Sequence, residues 1–202
     1  MIYLIRHGQT EFNRDGRLQG GLDSPLTPLG EAQARAAGQR LAELTSADAS
    51  IISSPQGRAR RTATLLRESG GFSAEIELDP RLAEVSLGGW DGLTRQEIAA
   101  LDPGFSFEPP PPDWYFRSPD GETYAEVAAR IGDWVETFRR HPADLIVVSH
   151  GVAGRVLRGI YAGTPVEEAL RFPVPQDAIF QLHQERIERL DGAPLPSEGV
   201  GV

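Results

Sequence analysis

Two rhythms of apolar and polar residues alternate along the chain. Ile2-Tyr3-Leu4-Ile5 is an unbroken apolar run, and Asp144-Leu145-Ile146-Val147-Val148-Ser149 carries a second one late in the sequence. Short continuous runs rich in β-branched residues predict buried strands. Ser50-Ile51-Ile52-Ser53 is a shorter run of the same kind, and Ala74-Glu75-Ile76-Glu77-Leu78 alternates with period two, so both predict strands. Between these runs the spacing is helical. Thr27-Pro28 pairs an N-cap residue with a proline at the first helical position. It predicts a helix to about Leu44 with an apolar stripe of Leu29, Ala32, Ala36, Ala37 and Leu41. Further helices are predicted from about Gly57 to Ser69 and from Gly151 onward. A long one runs from Gly121-Glu122-Thr123 to about Arg140, on the stripe Val127, Ile131, Trp134, Val135 and Phe138. Ile179–Leu182 and Arg186–Leu190 look like closing strands, with antiparallel pairing left open. Strands alternating with helices predict βαβ units, a largely parallel sheet and the α/β class.

Two stretches break the rhythm. Residues 14–26 read as a loop rich in Gly, Asp and Pro. The segment 102–120 holds Pro103, the run Pro109-Pro110-Pro111-Pro112, then Trp114-Tyr115-Phe116-Arg117. Consecutive prolines fit neither a helix nor a central strand, which predicts an extended excursion over one face of the domain. The stretch 191–202 is rich in Gly, Pro and Ser and predicts a disordered tail, so 1–190 is expected to form a single domain.

Composition narrows the functional classes. The chain has 202 residues, a net charge of −9 and no cysteine. The acidic balance argues against nucleic-acid binding, and no apolar run approaches the roughly 20 residues of a membrane span. Without cysteine there is no disulfide, thiolate metal site or thiol nucleophile. With no basic leader at the start, a cytoplasmic location is expected. Every basic residue is arginine. A Schiff-base lysine and a P-loop lysine are therefore excluded, and anion recognition falls to guanidinium groups, backbone amides or histidine.

The first strand stops at Arg6-His7-Gly8, and the late strand stops at His150-Gly151. In open α/β sheets ligands bind at the carboxyl ends of the strands. Arg58 lies just beyond the second strand and Glu84 just beyond the third, so five chemically active groups are expected along one sheet edge. Guanidinium groups match the oxygens of a phosphoryl group. A protonated histidine at a helix N-terminus adds a donor. A neutral imidazole in line with phosphorus can attack it, and a carboxylic acid can protonate the departing alkoxide. The set supplies nucleophile, anion clamp and acid with no metal and no cofactor.

The same residues resemble a known family. Arg6-His7-Gly8 with Thr10 and Asn13, Leu18-Gln19-Gly20, Asp23, Pro25-Leu26-Thr27 and Gly30 are similar to the histidine phosphatase superfamily, phosphoglycerate mutase-like branch. The likeness continues through Ser54, Arg58, Ala59 and Thr62-Ala63, through Glu84, Gly88, Trp90 and Gly92, through Gly121-Glu122, and through Val148-Ser149-His150-Gly151. A lone Arg-His-Gly is a weak signal; four ordered motifs are specific. The resemblance implies a three-layer α/β/α sandwich with a mostly parallel central sheet and a small cap insertion at about 85–125. It implies His7 as the phosphorylated nucleophile, with Arg6, Arg58 and His150 around the phosphate. Asn13 and the Gly151 amide are implied as further donors, and Glu84 as proton donor and later base. Val152 departs from the family, which often carries glycine or asparagine there.

The expected substrate-binding residues are Thr10, Asn13, Gln19, Gly20, Gly151 and Arg117. Arg117 enters on the reading that the aromatic cluster after the prolines lines the substrate entrance; pinning the excursion down is the alternative. Arg14 and Arg17 are weaker candidates, Arg60 and Arg61 are expected in solvent, and His141 and His183 receive no catalytic role. Three activities compete: a phosphomonoesterase acting on a small phosphorylated metabolite, a phosphoglycerate mutase, and a non-catalytic phosphate-binding module. Residues 93–120 hold only Arg95 and Arg117 as cations, against Glu97, Asp102, Glu108, Asp113 and Asp120. So acidic a cap is a weak clamp for a doubly anionic substrate, which favours the hydrolase. The expected partner is a small-molecule phosphomonoester, with no nucleic acid and no membrane; monomer and homodimer stay open.

Overall fold

The structure is a computed structural model and describes residues 1–191. In chain order the elements are β1 (Ile2–Arg6), α1 (Glu11–Arg14), α2 (Pro28–Ala42), β2 (Ser50–Ser53), α3 (Gly57–Gly70) and β3 (Ile76–Leu78). They continue with α4 (Arg95–Leu101), α5 (Tyr124–Phe138), β4 (Leu145–Ser149), α6 (Gly151–Ala162), α7 (Val166–Ala169), β5 (Ala178–His183) and β6 (Arg186–Asp191). One sheet runs β3-β2-β4-β1-β5-β6. β1 to β4 are parallel, while β5 and β6 add antiparallel pairs at one side.

Strand periodicity divides the core into two layers. Tyr3, Ile5, Ile51, Ile146 and Val148 pack with Leu41, Ala59, Ala63 and Leu66 of α2 and α3. Ile2, Leu4, Leu145 and Val147 pack with Val127, Ile131, Trp134, Val156 and Leu157 of α5 and α6. Helices thus cover both faces, as a sheet buried on two sides requires. The central pair matters most for the site. β1 and β4 are neighbours with Arg6 opposite Ser149, and the His7 N–H extends the ladder to the Ser149 carbonyl at 3.0 Å. The two His-Gly ends therefore emerge side by side.

Several boundaries differ from the sequence reading. The buried residues of α2 are Gly30, Ala34, Ala36, Ala37, Gly38 and Leu41; of the expected stripe, Ala32 is only half-buried and Leu29 is 43% exposed. Glycine sets this phase: the loop after β1 passes so close to α2 that a Cβ on Gly8 would lie 2.2 Å from the Gly30 carbonyl oxygen. α5 begins later than expected, because Thr123 and Glu126 form a capping box. Asp191 belongs to β6, and the rest of the expected tail, 192–202, lies outside the described residues. The segment between β3 and α5 holds α4 and short 3-10 turns at Gly88–Trp90 and Trp114–Phe116. Trp90, Ile98 and Trp114 join the same cluster as α5 and α6. An aromatic run from Trp90 through Phe105, Phe107 and Trp114 to Tyr115, with successive centroids 4.0–5.3 Å apart, holds it there. No helix among the described residues is long and apolar enough to cross a membrane.

Candidate active site

His7 is 2% exposed at the end of β1. Its Nδ1 lies 2.8 Å from the Gly8 carbonyl oxygen. A carbonyl only accepts, so Nδ1 carries the proton and Nε2 keeps a lone pair. Burial, reinforced by the Arg6 and Arg58 charges, pushes the imidazole well below the ordinary histidine range, so it is neutral. His150 stands at the N-cap of α6, its ring centroid 5.2 Å from that of His7. Its Nε2 lies 2.7 Å from Ser54 Oγ. Burial and then the charges of Arg58, His7 and Arg6 push it down as well. The histidine expected to be protonated at this helix end is therefore neutral, with burial as the first cause.

Arg58, in the first turn of α3, is 2% exposed and grips the loop after α1. Its Nη1 donates to the Leu22 carbonyl at 2.6 Å and to Asp23 Oδ1 at 3.1 Å, and its Nη2 donates to the Gly20 carbonyl at 3.1 Å. Arg6 donates through Nη1 to the Val174 carbonyl at 2.7 Å. Arg6 Nε, Arg58 Nε and His150 Nδ1 are buried without a hydrogen-bond partner among the described residues. Buried donors are ordinarily satisfied. Arg6 Nε and Arg58 Nε are such donors, and His150 Nδ1 joins them in the tautomer whose Nε2 accepts from the Ser54 hydroxyl.

Glu84 comes after β3 in the chain, and its carboxylate lies on the N-terminus of α6. Oε2 accepts from the Gly151 and Val152 amides at 2.9 and 3.1 Å; Oε1 accepts from Ala153 at 2.9 Å and from Val85 at 3.0 Å. The helix end that was expected to hold an external anion thus holds an internal one.

Arg6, His7, Arg58 and Glu84 border a cavity of about 180 Å³, which Asn13, Gln19, Gly20 and Gly151 also line. Its walls bring together the guanidinium groups of Arg6, Arg17, Arg58, Arg95 and Arg155 with a single carboxylate, Glu84. Three expected site residues are absent from its lining: His150, which is buried behind it against Ser54, and Thr10 and Arg117. Thr10 is fully buried and caps α1 by accepting from the Asn13 amide at 3.2 Å. Arg117 points elsewhere and pairs with Asp113 at 2.9 Å on the surface. Arg14 likewise pairs with Asp15 in solvent.

Some wall residues were not among the expected contacts. Trp114 and Tyr115 both face the cavity, so the aromatic cluster both pins the excursion and forms the entrance. Arg155, one turn after Gly151 on α6, donates to the Phe172 carbonyl at 2.6 Å and to the Tyr115 hydroxyl. Its i, i+4 relation to Gly151 was a usable signal. Arg95 lies 5.6 and 5.8 Å from the Phe107 and Trp114 ring centroids. A larger hollow of about 560 Å³ lies around Met1, His141 and His183, lined by none of these groups. No three metal-ligating side chains converge among the described residues.

The profile of the histidine phosphatase superfamily (branch 1) matches residues 2–189. The chain belongs to this superfamily. It is 37% identical over 183 residues to a probable phosphoglycerate mutase GpmB of Photorhabdus laumondii, covering 84% of this chain and 78% of that one. It is 33% identical over 180 residues to an acid phosphatase of Mycobacterium tuberculosis, covering 88% and 83%. Among solved structures, a mycobacterial glucosyl-3-phosphoglycerate phosphatase in complex with VO3 superposes with a TM-score of 0.77 at 30% identity, over 96% of this chain and 98% of that one. Relatives of this chain therefore include proteins named as phosphatases and as probable mutases.

Proposed function

We propose that the protein hydrolyses a small phosphomonoester through a phosphohistidine at His7, without a metal. The observation that carries this reading is the set of unpartnered buried donors flanking His7: Arg6 Nε, Arg58 Nε and His150 Nδ1. A phosphate supplies the acceptors those atoms lack. On leaving the α6 amides Glu84 takes up a proton from the bound phosphomonoester monoanion; His7 Nε2 attacks phosphorus, the bond to the ester oxygen breaks, and Glu84 delivers that proton to the departing alkoxide. Water then attacks the phosphorus, Glu84 takes its proton, and the phosphorus–nitrogen bond breaks to free His7 and inorganic phosphate. To reach the ester oxygen, Glu84 leaves the α6 amides, and an oxygen of the incoming phosphate takes the Gly151 N–H in its place. Substrate binding is then an exchange of anions at one helix end.

The test is alkali-quenched labelling with a phosphomonoester. A phosphoryl group that is acid-labile and base-stable, mapping to His7, is expected, and His7→Ala loses both label and turnover. Normal turnover in His7→Ala removes the reading. A second reading, phosphoryl transfer within a phosphoglycerate, gains from one observation. Arg17 and Arg155 line the cavity from outside 93–120, so the composition of that segment understates the positive charge available to a second anion. Incubation with 3-phosphoglycerate and catalytic bisphosphoglycerate separates the two: free phosphate marks the hydrolase, 2-phosphoglycerate the mutase.

A further inference from the structure

Gln56 does not face the cavity, yet its side chain joins the two halves of the site. It occupies the N-cap position of α3, where a side chain would ordinarily accept from the helix amides, and makes no such bond. Instead its Oε1 accepts from the backbone N–H of Glu84 at 2.8 Å, and its Nε2 donates to the Gly20 carbonyl at 3.0 Å. An amide N–H needs an acceptor and a carbonyl needs a donor, so only one orientation of the Gln56 amide satisfies both ends. The Gly20 carbonyl also receives Arg58 Nη2, and the Gln56 backbone N–H donates to Ser54 Oγ, the partner of His150. One turn of chain, Ser54 to Arg58, thus touches His150, the Arg58 loop and the backbone of Glu84.

We infer that Gln56 is a positioning residue which sets the distance between the proton donor and the phosphate clamp. This rests on the phosphohistidine reading of the site. The Glu84 carboxylate must release the α6 amides to act, and once it does, its backbone is what keeps it in register with the phosphate. Arg130 holds the same segment from the other side through the Arg81 and Ala83 carbonyls, but it makes no hydrogen bond to the Arg58 loop among the described residues. Gln56 alone of the two refers the acid to the clamp. A misplacement of about 1 Å in such a group is enough for a loss of about 10²-fold.

The test is the ratio of kcat/KM for two esters, an alkyl phosphate that needs its leaving oxygen protonated and p-nitrophenyl phosphate that does not. kcat/KM reports the steps through phosphohistidine formation, and the ratio is independent of how much protein is folded. Gln56→Met keeps the length and loses the amide. It is expected to lower the alkyl-ester value about 10²-fold and the aryl-ester value less than about threefold, with vanadate inhibition unchanged. In a Glu84→Gln background Gln56→Met is expected to add nothing further. If the Met variant does not fold, Gln56→Asn, too short to span both ends, gives the same ratio. Equal losses on both esters, an unchanged ratio, or a full further loss in the Glu84→Gln background overturns the proposal. Turnover that survives His7→Ala instead overturns the phosphohistidine reading, so the two failures are distinguishable.

Discussion

Glu84→Gln is the substitution whose consequences come most directly from the geometry, and it is not a silent isostere. The carboxylate accepts from four backbone N–H groups, those of Val85, Gly151, Val152 and Ala153. A glutamine oxygen retains two acceptor positions, while the new NH2 turns donors toward the other two amides. An orphaned buried N–H costs about 1–3 kcal/mol. Two of them set an upper bound of about 6 kcal/mol, and access of water from the cavity brings the expected loss nearer to 2 kcal/mol. On the chemical side, loss of general acid catalysis costs about 10²–10⁴-fold, or roughly 2.7–5.5 kcal/mol at 1.36 kcal/mol per tenfold. That loss should fall on alkyl esters and be much smaller on p-nitrophenyl phosphate. Anion binding should move the opposite way. In the wild type a phosphate competes with the Glu84 carboxylate for the α6 amides, whereas in Glu84→Gln two of the four N–H groups lack a partner. Inorganic phosphate should therefore bind the variant about tenfold more tightly, about 1.4 kcal/mol. Urea unfolding, phosphate titration and kcat/KM for the two esters measure the three quantities. A variant with wild-type stability, wild-type phosphate affinity and full alkyl-ester activity refutes both the role of Glu84 and the exchange of anions at α6.

Arg58→Ala is expected to lower kcat/KM by about 10²–10³-fold, the value of one preorganised donor at a developing charge. It should also lower stability by about 2 kcal/mol, chiefly through the Leu22 carbonyl left behind, since the Gly20 carbonyl keeps Gln56 and half-exposed Asp23 adds little. Arg58→Lys should recover less than about a tenth of the lost activity, because one ammonium cannot hold both carbonyls and also meet the phosphate. A near-wild-type lysine variant contradicts this. Both histidines are neutral in the fold and titrate near 6.5 when unfolded. As the pH falls through that value the unfolded chain takes up protons first, so stability present above about 6.5 is lost below it, by up to about 1.4 kcal/mol per pH unit for each histidine. His7→Gln should gain stability relative to the wild type between about pH 7 and pH 5.5 in paired denaturation curves, and a constant difference contradicts the burial argument. EDTA should leave turnover unchanged while vanadate inhibits; loss of activity in EDTA points to a metal-dependent phosphatase instead.

Legible and illegible parts of the molecule divide along a physical line. The strand ends could be read from sequence because a buried strand announces itself in three or four residues, and the residues at its carboxyl end stand at the sheet edge. Arg6, His7, Arg58, Glu84 and His150 all sit within six residues of a strand's last position, and all gather around one imidazole pair. The mouth of the cavity was not legible, because its residues are placed by contacts between segments. Arg95 and Arg117 are both arginines of the same insertion. Arg95 stacks near Phe107 and Trp114 and faces the cavity, whereas Arg117 is drawn off by Asp113 four residues earlier. Composition counts them alike; only one can meet a ligand. Thr10 fails for a related reason: its hydroxyl caps α1, so the residue that looked like a ligand holds another, Asn13, at the cavity wall. Gln56 is the reverse case, an N-cap residue freed from capping, whose long side chain reaches Glu84 and Gly20 across 28 and 36 residues of sequence. Motifs locate the atoms that react. The side chains that hold those atoms at working distance carry no motif, because what selects them is a gap of a given length between two backbone groups that sequence does not bring together.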